Sequence, residues 1–163
     1  MLDQSILAHE RVAMLRCYFY GDCSFWVTPT TQIEYAKIKN EAWRKMHDRW
    51  TKFMLQDMPL RTTLDLLDRR MGELPQHHQA ENDCRVVAET EFSGVDTLLS
   101  CDKDLIARLR DHARVRILRP TEFWTSLGIE EGAQPVVQPA RGNPLLDKSW
   151  WRLTQPAQDL TAG

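Results

Sequence analysis

The sequence predicts an α/β fold: a three-layer sandwich with a central parallel sheet, extra helices and a proline-rich C-terminal tail. Three observations favour it. Short apolar runs alternate with helical segments over residues 24–127. The connections between them are short, as expected for parallel strands joined by crossover helices. Prolines then interrupt every candidate element after Gly128. We therefore expect a domain over residues 1–128 and a tail or wrapping arm over residues 129–163.

The first predicted helix covers residues 4–19, where apolar side chains recur at helical spacing: Ala8, Val12, Leu15 and Phe19. Gly21 interrupts this pattern, and the β-prone run at residues 24–28 follows. Pro29 closes that run, because proline is tolerated in the first turn of a helix but not within a central strand. The chain therefore passes from a strand directly into a helix over residues 31–40.

The remaining elements follow from the same signals. Helices are predicted over residues 41–56, 63–71, 83–92, 103–112 and 120–127, and strands over residues 97–100 and 115–118. Gly94 is placed to end the helix at residues 83–92. In the tail, the expected anchors are Leu145, Leu146, Trp150 and Trp151.

Composition excludes several classes of protein. The chain has 163 residues and a net charge of −2, so bulk charge attracts neither nucleic acid nor an anionic membrane, and any such contact needs a local patch. No apolar run approaches the roughly 18 residues of a membrane-spanning helix, so we expect no membrane contact and a cytoplasmic location. The four cysteines lack a C-x-x-C pair, which favours buried or half-buried thiols over zinc or disulfides.

Three acidic residues are notable for their positions. Glu34 lies in the helix after the first predicted strand, Asp83 begins a helix, and Asp102 follows the strand at residues 97–100. Carboxyl ends of parallel strands and the starts of the following helices share one sheet edge. Converging carboxylates raise each other's pKa and are tolerated chiefly beside a divalent cation, and an all-oxygen site favours Mg²⁺ or Mn²⁺. Each acid also has an ordinary alternative: a helix cap for Asp83 and Asp102, a solvated position for Glu34.

Four segments together resemble the PIN-domain nucleases. NDCRVVAE at residues 82–89, GVDTLLSCDKDL at residues 94–105 and VRILRPTEF at residues 115–123 are similar to the C-terminal half of that family, in its usual order. Upstream, VTPTTQIE at residues 27–34 resembles the strand-to-helix step that carries the family's second acid. The resemblance covers residues 24–127.

This resemblance implies a function and a site. Glu34, Asp83 and Asp102 would be the family's second, third and fourth acids, serving as catalytic residues and metal ligands, with Asp104 as a further ligand. The implied activity is hydrolysis of RNA phosphodiester bonds with Mg²⁺ or Mn²⁺, frequently by the toxin of a toxin–antitoxin pair. The implied partners are RNA and an antitoxin protein, and we also expect a homodimer. The alternative is a catalytically inactive PIN-like module that binds RNA or protein.

The N-terminus departs from the family pattern. The family's first acid ends a central strand, whereas only Met1 and Leu2 precede Asp3 here. Residues 3–7 are either a shortened strand end or the loop that enters the first helix, and we favour the loop. In that case the first strand and the first acid are missing from this chain, which would weaken both the sheet and the metal site.

A local excess of positive charge indicates a nucleic-acid surface. Residues 37–70 contain nine basic and five acidic side chains. Those expected to contact an RNA backbone are Lys37, Arg44, Lys45 and Lys52, and such contacts would make binding salt-dependent. The alternative is a solvated helix face. Trp43 and Trp50 either stack on unpaired bases or belong to an apolar stripe facing the core or a partner.

Overall fold

The structure is a computed structural model that describes residues 4–153, with side chains from residue 8 onward. The chain divides into two compact units. The central unit is Phe25–Arg119. The terminal unit combines the two ends of the chain, of which residues 4–24 and 120–153 are described. The predicted tail, as far as it is described, belongs to the terminal unit.

The described residues form a mixed α/β structure. In chain order the elements are α1 (Gln4–Tyr20), β1 (Trp26–Val27), α2 (Pro29–Ala36), α3 (Glu41–Met54), β2 (Gln56–Asp57), α4 (Leu64–Glu73), α5 (Glu81–Ser93), β3 (Thr97–Leu99), α6 (Lys103–Leu109), β4 (Arg116–Leu118) and α7 (Pro120–Ser126). Helices α1 and α7 belong to the terminal unit and all other elements to the central unit. None of these helices combines the length and apolar character needed to cross a bilayer.

The strands form two parallel pairs. Trp26 of β1 lies opposite Gln56 of β2, and Thr97 of β3 lies opposite Arg116 of β4. Parallel pairing with helical crossovers confirms the α/β class. The described residues contain these two-stranded sheets and not one central sheet. The prediction of a helix up to residue 56 was wrong at its end, because Leu55 leaves the helix and β2 begins at Gln56.

Local sequence explains where several helices begin and end. Thr28 is the N-cap of α2, and its hydroxyl accepts a hydrogen bond from the Thr31 N–H at 3.1 Å. Pro29 then occupies the first helical position. Gly94 ends α5 in the left-handed conformation, with φ of 82°, as predicted.

Burial of apolar side chains holds the central unit together. Its main cluster combines side chains from α5, α6, β4 and the loop before α5: Leu74, Cys84, Val87, Leu105, Ile106, Leu109 and Ile117. Beside it, Leu67 and Met71 of α4 pack on Ala88 of α5. A buried ion pair links the same two helices, since Arg70 Nε donates to Glu91 Oε2 at 2.6 Å. These contacts fix α5, which carries Asp83.

In the terminal unit, α1 packs on α7. The ring of Trp151 stacks on Phe19 with 4.1 Å between centroids, and Arg16 Nε donates to the Trp151 carbonyl. Leu145 and Trp151 are buried, as the sequence predicted for the tail anchors. The same prediction was wrong for Leu146 and Trp150, whose side chains are exposed.

The four cysteines carry thiols and form no disulfide. Cys17 and Cys84 are buried and Cys23 and Cys101 are half-buried, which confirms the prediction. Burial, followed by the neighbouring Cys23, raises the pKa of Cys17 to about 12. Cys17 is therefore a neutral core side chain at physiological pH.

Candidate functional site

The three predicted acids come from three elements of the central unit. Glu34 is exposed on α2, three residues before the capping residue Lys37. Asp83 is the third residue of α5, whose N-cap is Ala80, so the capping role considered for Asp83 was wrong. Asp102 follows β3 and is the N-cap of α6, so its capping role is confirmed. Asp3, the alternative first acid, lies outside the described residues. Residues 4–7 belong to α1, so both the strand end and the favoured loop were wrong over these residues.

Two side-chain contacts join these elements. Asn82 Nδ2 donates to Glu34 Oε1 at 2.9 Å, which connects the first turn of α5 to α2. In the next residue, Asp83 Oδ2 accepts from Arg108 Nη2 at 2.5 Å, which connects the same turn to α6. The first turn of α5 therefore contacts both α2 and α6.

The electrostatics of Asp83 reflect this arrangement. Burial raises its pKa, the Arg108 cation opposes that rise, and the negative charges of Asp102 and Glu34 add to it. The phenol of Tyr35 also indicates that α2 lies close to the residues after β3. Partial burial raises its pKa first, and the nearby Glu34 and Cys101 raise it further. The end of α2 therefore lies near the residues that follow β3, and the structure brings Glu34, Asp83 and Asp102 within electrostatic reach.

The donor atoms suit a hard cation better than zinc. Asp102 uses Oδ1 to accept from the N–H groups of Asp104 and Leu105, and within residues 4–153 its Oδ2 accepts no hydrogen bond. Asp104 is exposed in the first turn of α6. In the part of the chain that is described, no three His, Cys, Asp or Glu side chains form a group able to hold a metal ion. Mg²⁺ usually keeps several waters and binds proteins through one or two carboxylates.

Arg108 is a site residue that the sequence did not indicate. Besides Asp83, its guanidinium donates to the Pro75 carbonyl at 3.0 Å and approaches the Cys84 sulfur at 3.7 Å. Asp83 and Arg108 are 25 residues apart on different helices, so no local spacing connects them. The role of Asn82 was not predicted either, although it precedes Asp83, because its partner Glu34 is distant in the sequence.

The four side chains predicted to contact RNA differ in whether they already have partners within the described residues. Arg44 donates to the Ile38 carbonyl at 3.2 Å, and Lys45 pairs with Glu41 at 2.7 Å on the surface. Lys37 and Lys52 are exposed, and the side chain of neither makes a hydrogen bond or ion pair with the residues that the structure describes. A surface pair such as Lys45–Glu41 contributes little to stability, so the side chain of Lys45 remains available to an anion, as do those of Lys37 and Lys52.

Comparisons of the chain with protein-family models, with curated proteins and with solved structures find no match. The arrangement of side chains in the central unit therefore supplies the argument for a function.

Proposed function

We propose that the central unit is a divalent-metal-dependent endoribonuclease that hydrolyses RNA phosphodiester bonds. One observation carries this proposal: the half-buried Asp83 at the start of α5 has a raised pKa, through burial first and then through the negative charges of Asp102, which caps α6, and of Glu34 on α2. A perturbed pKa with identified charged neighbours is typical of functional sites. The resemblance to the PIN-domain nucleases supports the same conclusion.

The residues divide the work according to their contacts. Glu34 and Asp102 would hold Mg²⁺ or Mn²⁺ together with water, and Asp83 and Asp104 would add negative charge or ligands beside them. When bound, the cation would lower the pKa of an attacking water and compensate the charge of the phosphate. Arg108 keeps Asp83 in place between α5 and α6. Asn82 holds Glu34 toward α5.

The three-layer sandwich with one central sheet belongs to this proposal. In β1 the carbonyls of Phe25 and Val27 accept hydrogen bonds from the β2 segment, so the backbone groups of Trp26 point to the opposite edge. In the second pair the Ser100 N–H donates to the Leu118 carbonyl. Because backbone groups of successive residues point to opposite sides of a strand, those of Leu99 point away from β4. A further parallel strand between β1 and β3 would hydrogen-bond to these two edges and join the two pairs into one sheet.

A second candidate function is an inactive module that binds RNA. The observation in its favour is the Asp83–Arg108 pair, because an internal cation already compensates part of the negative charge. Such a module would bind RNA equally well with and without a divalent cation and would leave the RNA intact.

Cleavage of a labelled single-stranded RNA tests the proposal. We expect cleavage with Mg²⁺ or Mn²⁺, none with EDTA, and a loss of about 100-fold for Glu34→Gln and for Asp102→Asn, a size typical of disturbed metal sites. Glu81→Gln is the matched control, because Glu81 is an exposed acid in the first turn of α5. Equal rates for wild type and both site variants would refute the enzyme. Metal-independent binding without cleavage would support the inactive module.

A further inference from the structure

Three aromatic rings lead from the acidic site onto α3. Tyr35 directly follows Glu34 and stacks on His47 with 4.6 Å between centroids and 26° between planes. His47 in turn lies 6.5 Å from the ring of Trp43, at 37°. Trp43 is 48% exposed, so the series ends at a ring that solvent reaches. We call these three residues the aromatic series.

The local sequence fixes this arrangement. Asn40 is the N-cap of α3, and its side-chain oxygen accepts a hydrogen bond from the Trp43 N–H at 3.0 Å. Trp43 and His47 are four residues apart, so their side chains lie on the same face of the helix. The position of Trp43 is therefore set by the cap and by the ring beside it, although nearly half of its surface is exposed.

Positive charge lies beside the aromatic series in the chain. Residues 37–52 contain six basic side chains and two acidic ones, an excess of four in a chain whose net charge is −2. The exposed Lys37 and Lys39 lie between Tyr35 and Trp43, where the chain passes from α2 to α3, whereas Lys45 and Lys52 follow Trp43 by two and nine residues and lie on the opposite side of α3. This local charge is complementary to a polyanion, whereas a hydrophobic protein partner would be better matched by a neutral rim.

We propose that this face binds single-stranded RNA, with an unpaired base stacked on Trp43 and the phosphates held by Lys37 and Lys39. Exposed aromatic rings combined with a basic surface are the usual means of holding unpaired nucleic acid. A duplex keeps its bases stacked inside and offers none to the ring. The choice of RNA over DNA rests on the proposed function. Tyr35, at the other end of the aromatic series, is the residue next to Glu34 in α2, so a strand bound to Trp43 would lie on the side of α3 that faces α2.

Binding of a fluorescein-labelled oligouridine, followed by anisotropy in EDTA, tests this proposal without any cleavage. We expect Trp43→Ala to weaken binding about tenfold, the size of one lost base stack, and Trp43→Phe to retain most of the affinity. Trp150→Ala is the matched control, because Trp150 is 52% exposed in the terminal unit. Lys37→Gln with Lys39→Gln should reduce the salt dependence of binding.

The outcomes distinguish a failure of the stacking site from a failure of the proposed nuclease. Weaker binding by Trp43→Ala without any cleavage by wild type would support the stacking site and refute the nuclease. Unchanged binding by Trp43→Ala would overturn the stacking site, even if Glu34→Gln abolishes cleavage. The proposal is also overturned if a duplex binds as tightly as the single strand, if oligodeoxythymidine binds more tightly than oligouridine, or if the face binds polyglutamate in preference to RNA.

Discussion

Arg108 and Asp83 form an ion pair at the acidic site, with Nη2 2.5 Å from Oδ2. Their side chains are 18% and 24% exposed, so water screens the pair only in part. The same guanidinium donates to the Pro75 carbonyl, which ties the loop before α5 to α6. Arg108 therefore both positions Asp83 and supplies positive charge within a group of acids.

Replacing Arg108 by Gln should destabilise the central unit and strengthen cation binding. Loss of charge-assisted hydrogen bonds should lower the free energy of unfolding by about 2 kcal/mol. The more negative site should bind Mn²⁺ several-fold more tightly. Urea denaturation measures the first effect and calorimetric titration with Mn²⁺ the second. Arg108→Lys is the control, since it keeps the charge. Equal Mn²⁺ affinity for all three proteins would contradict this role of Arg108.

The pH dependence of stability should show the raised pKa of Asp83. The folded state holds this proton more tightly than the unfolded state does, so wild type should gain stability relative to Asp83→Asn as the pH falls from neutral through the folded pKa. This gain disappears again as the pH rises. Urea denaturation in EDTA at a series of pH values measures the difference. The same comparison can be made without Arg108, between Arg108→Gln and Asp83→Asn/Arg108→Gln. The gain in stability should then appear at higher pH, because Arg108 lowers the pKa of Asp83.

Helices were predictable here because their signals are local. Helix α1 follows its apolar spacing, α2 begins at Pro29 after the Thr28 cap, and α5 ends at Gly94. Strand β2 was missed because Gln56 and Asp57 are polar and exposed. Its strand character comes only from pairing with β1, which is distant in sequence.

The candidate site was predictable only in part, for a similar reason. The positions of Glu34 and Asp102 after strands indicated one shared edge, and the electrostatics of Asp83 agree with it. The partners of these acids carry no such signal, because Asn82 and Arg108 act through contacts across helices. The apolar stripe on α3 was ambiguous in the sequence, and in the structure Trp43 is exposed whereas Trp50 is half-buried.

A buried carboxylate fastens the start of α2 to α5. Glu89 accepts from the Thr30 N–H at 3.1 Å and from the Thr30 hydroxyl at 2.8 Å. The terminal unit repeats the motif, since Glu10 accepts from the N–H and hydroxyl of Thr121. In both cases the threonine follows a proline in the first turn of a helix, where backbone N–H groups lack partners.

Glu89→Ala should lower the free energy of unfolding by about 2–3 kcal/mol, because it leaves two buried donors unsatisfied. Glu89→Gln should cost about 1 kcal/mol, since the amide oxygen accepts from the N–H and the threonine hydroxyl reorients. Cleavage should fall with Glu89→Ala as well, because α2 carries Glu34. Urea denaturation measures stability, with Glu81→Ala on the same helix as control. Equal stability of Glu89→Ala and wild type would show that the anchor contributes nothing.

Trp151→Ala should destabilise the terminal unit by about 3–5 kcal/mol, the usual cost of removing a large buried aromatic side chain. Trp151 is fully buried and stacks on Phe19 of α1. Its neighbour Trp150 is exposed, so Trp150→Ala should change the free energy of unfolding by less than about 0.5 kcal/mol. Urea denaturation followed by circular dichroism compares the two. Because the substitutions are chemically identical and adjacent, similar losses from both would mean that burial of residue 151 does not stabilise the unit.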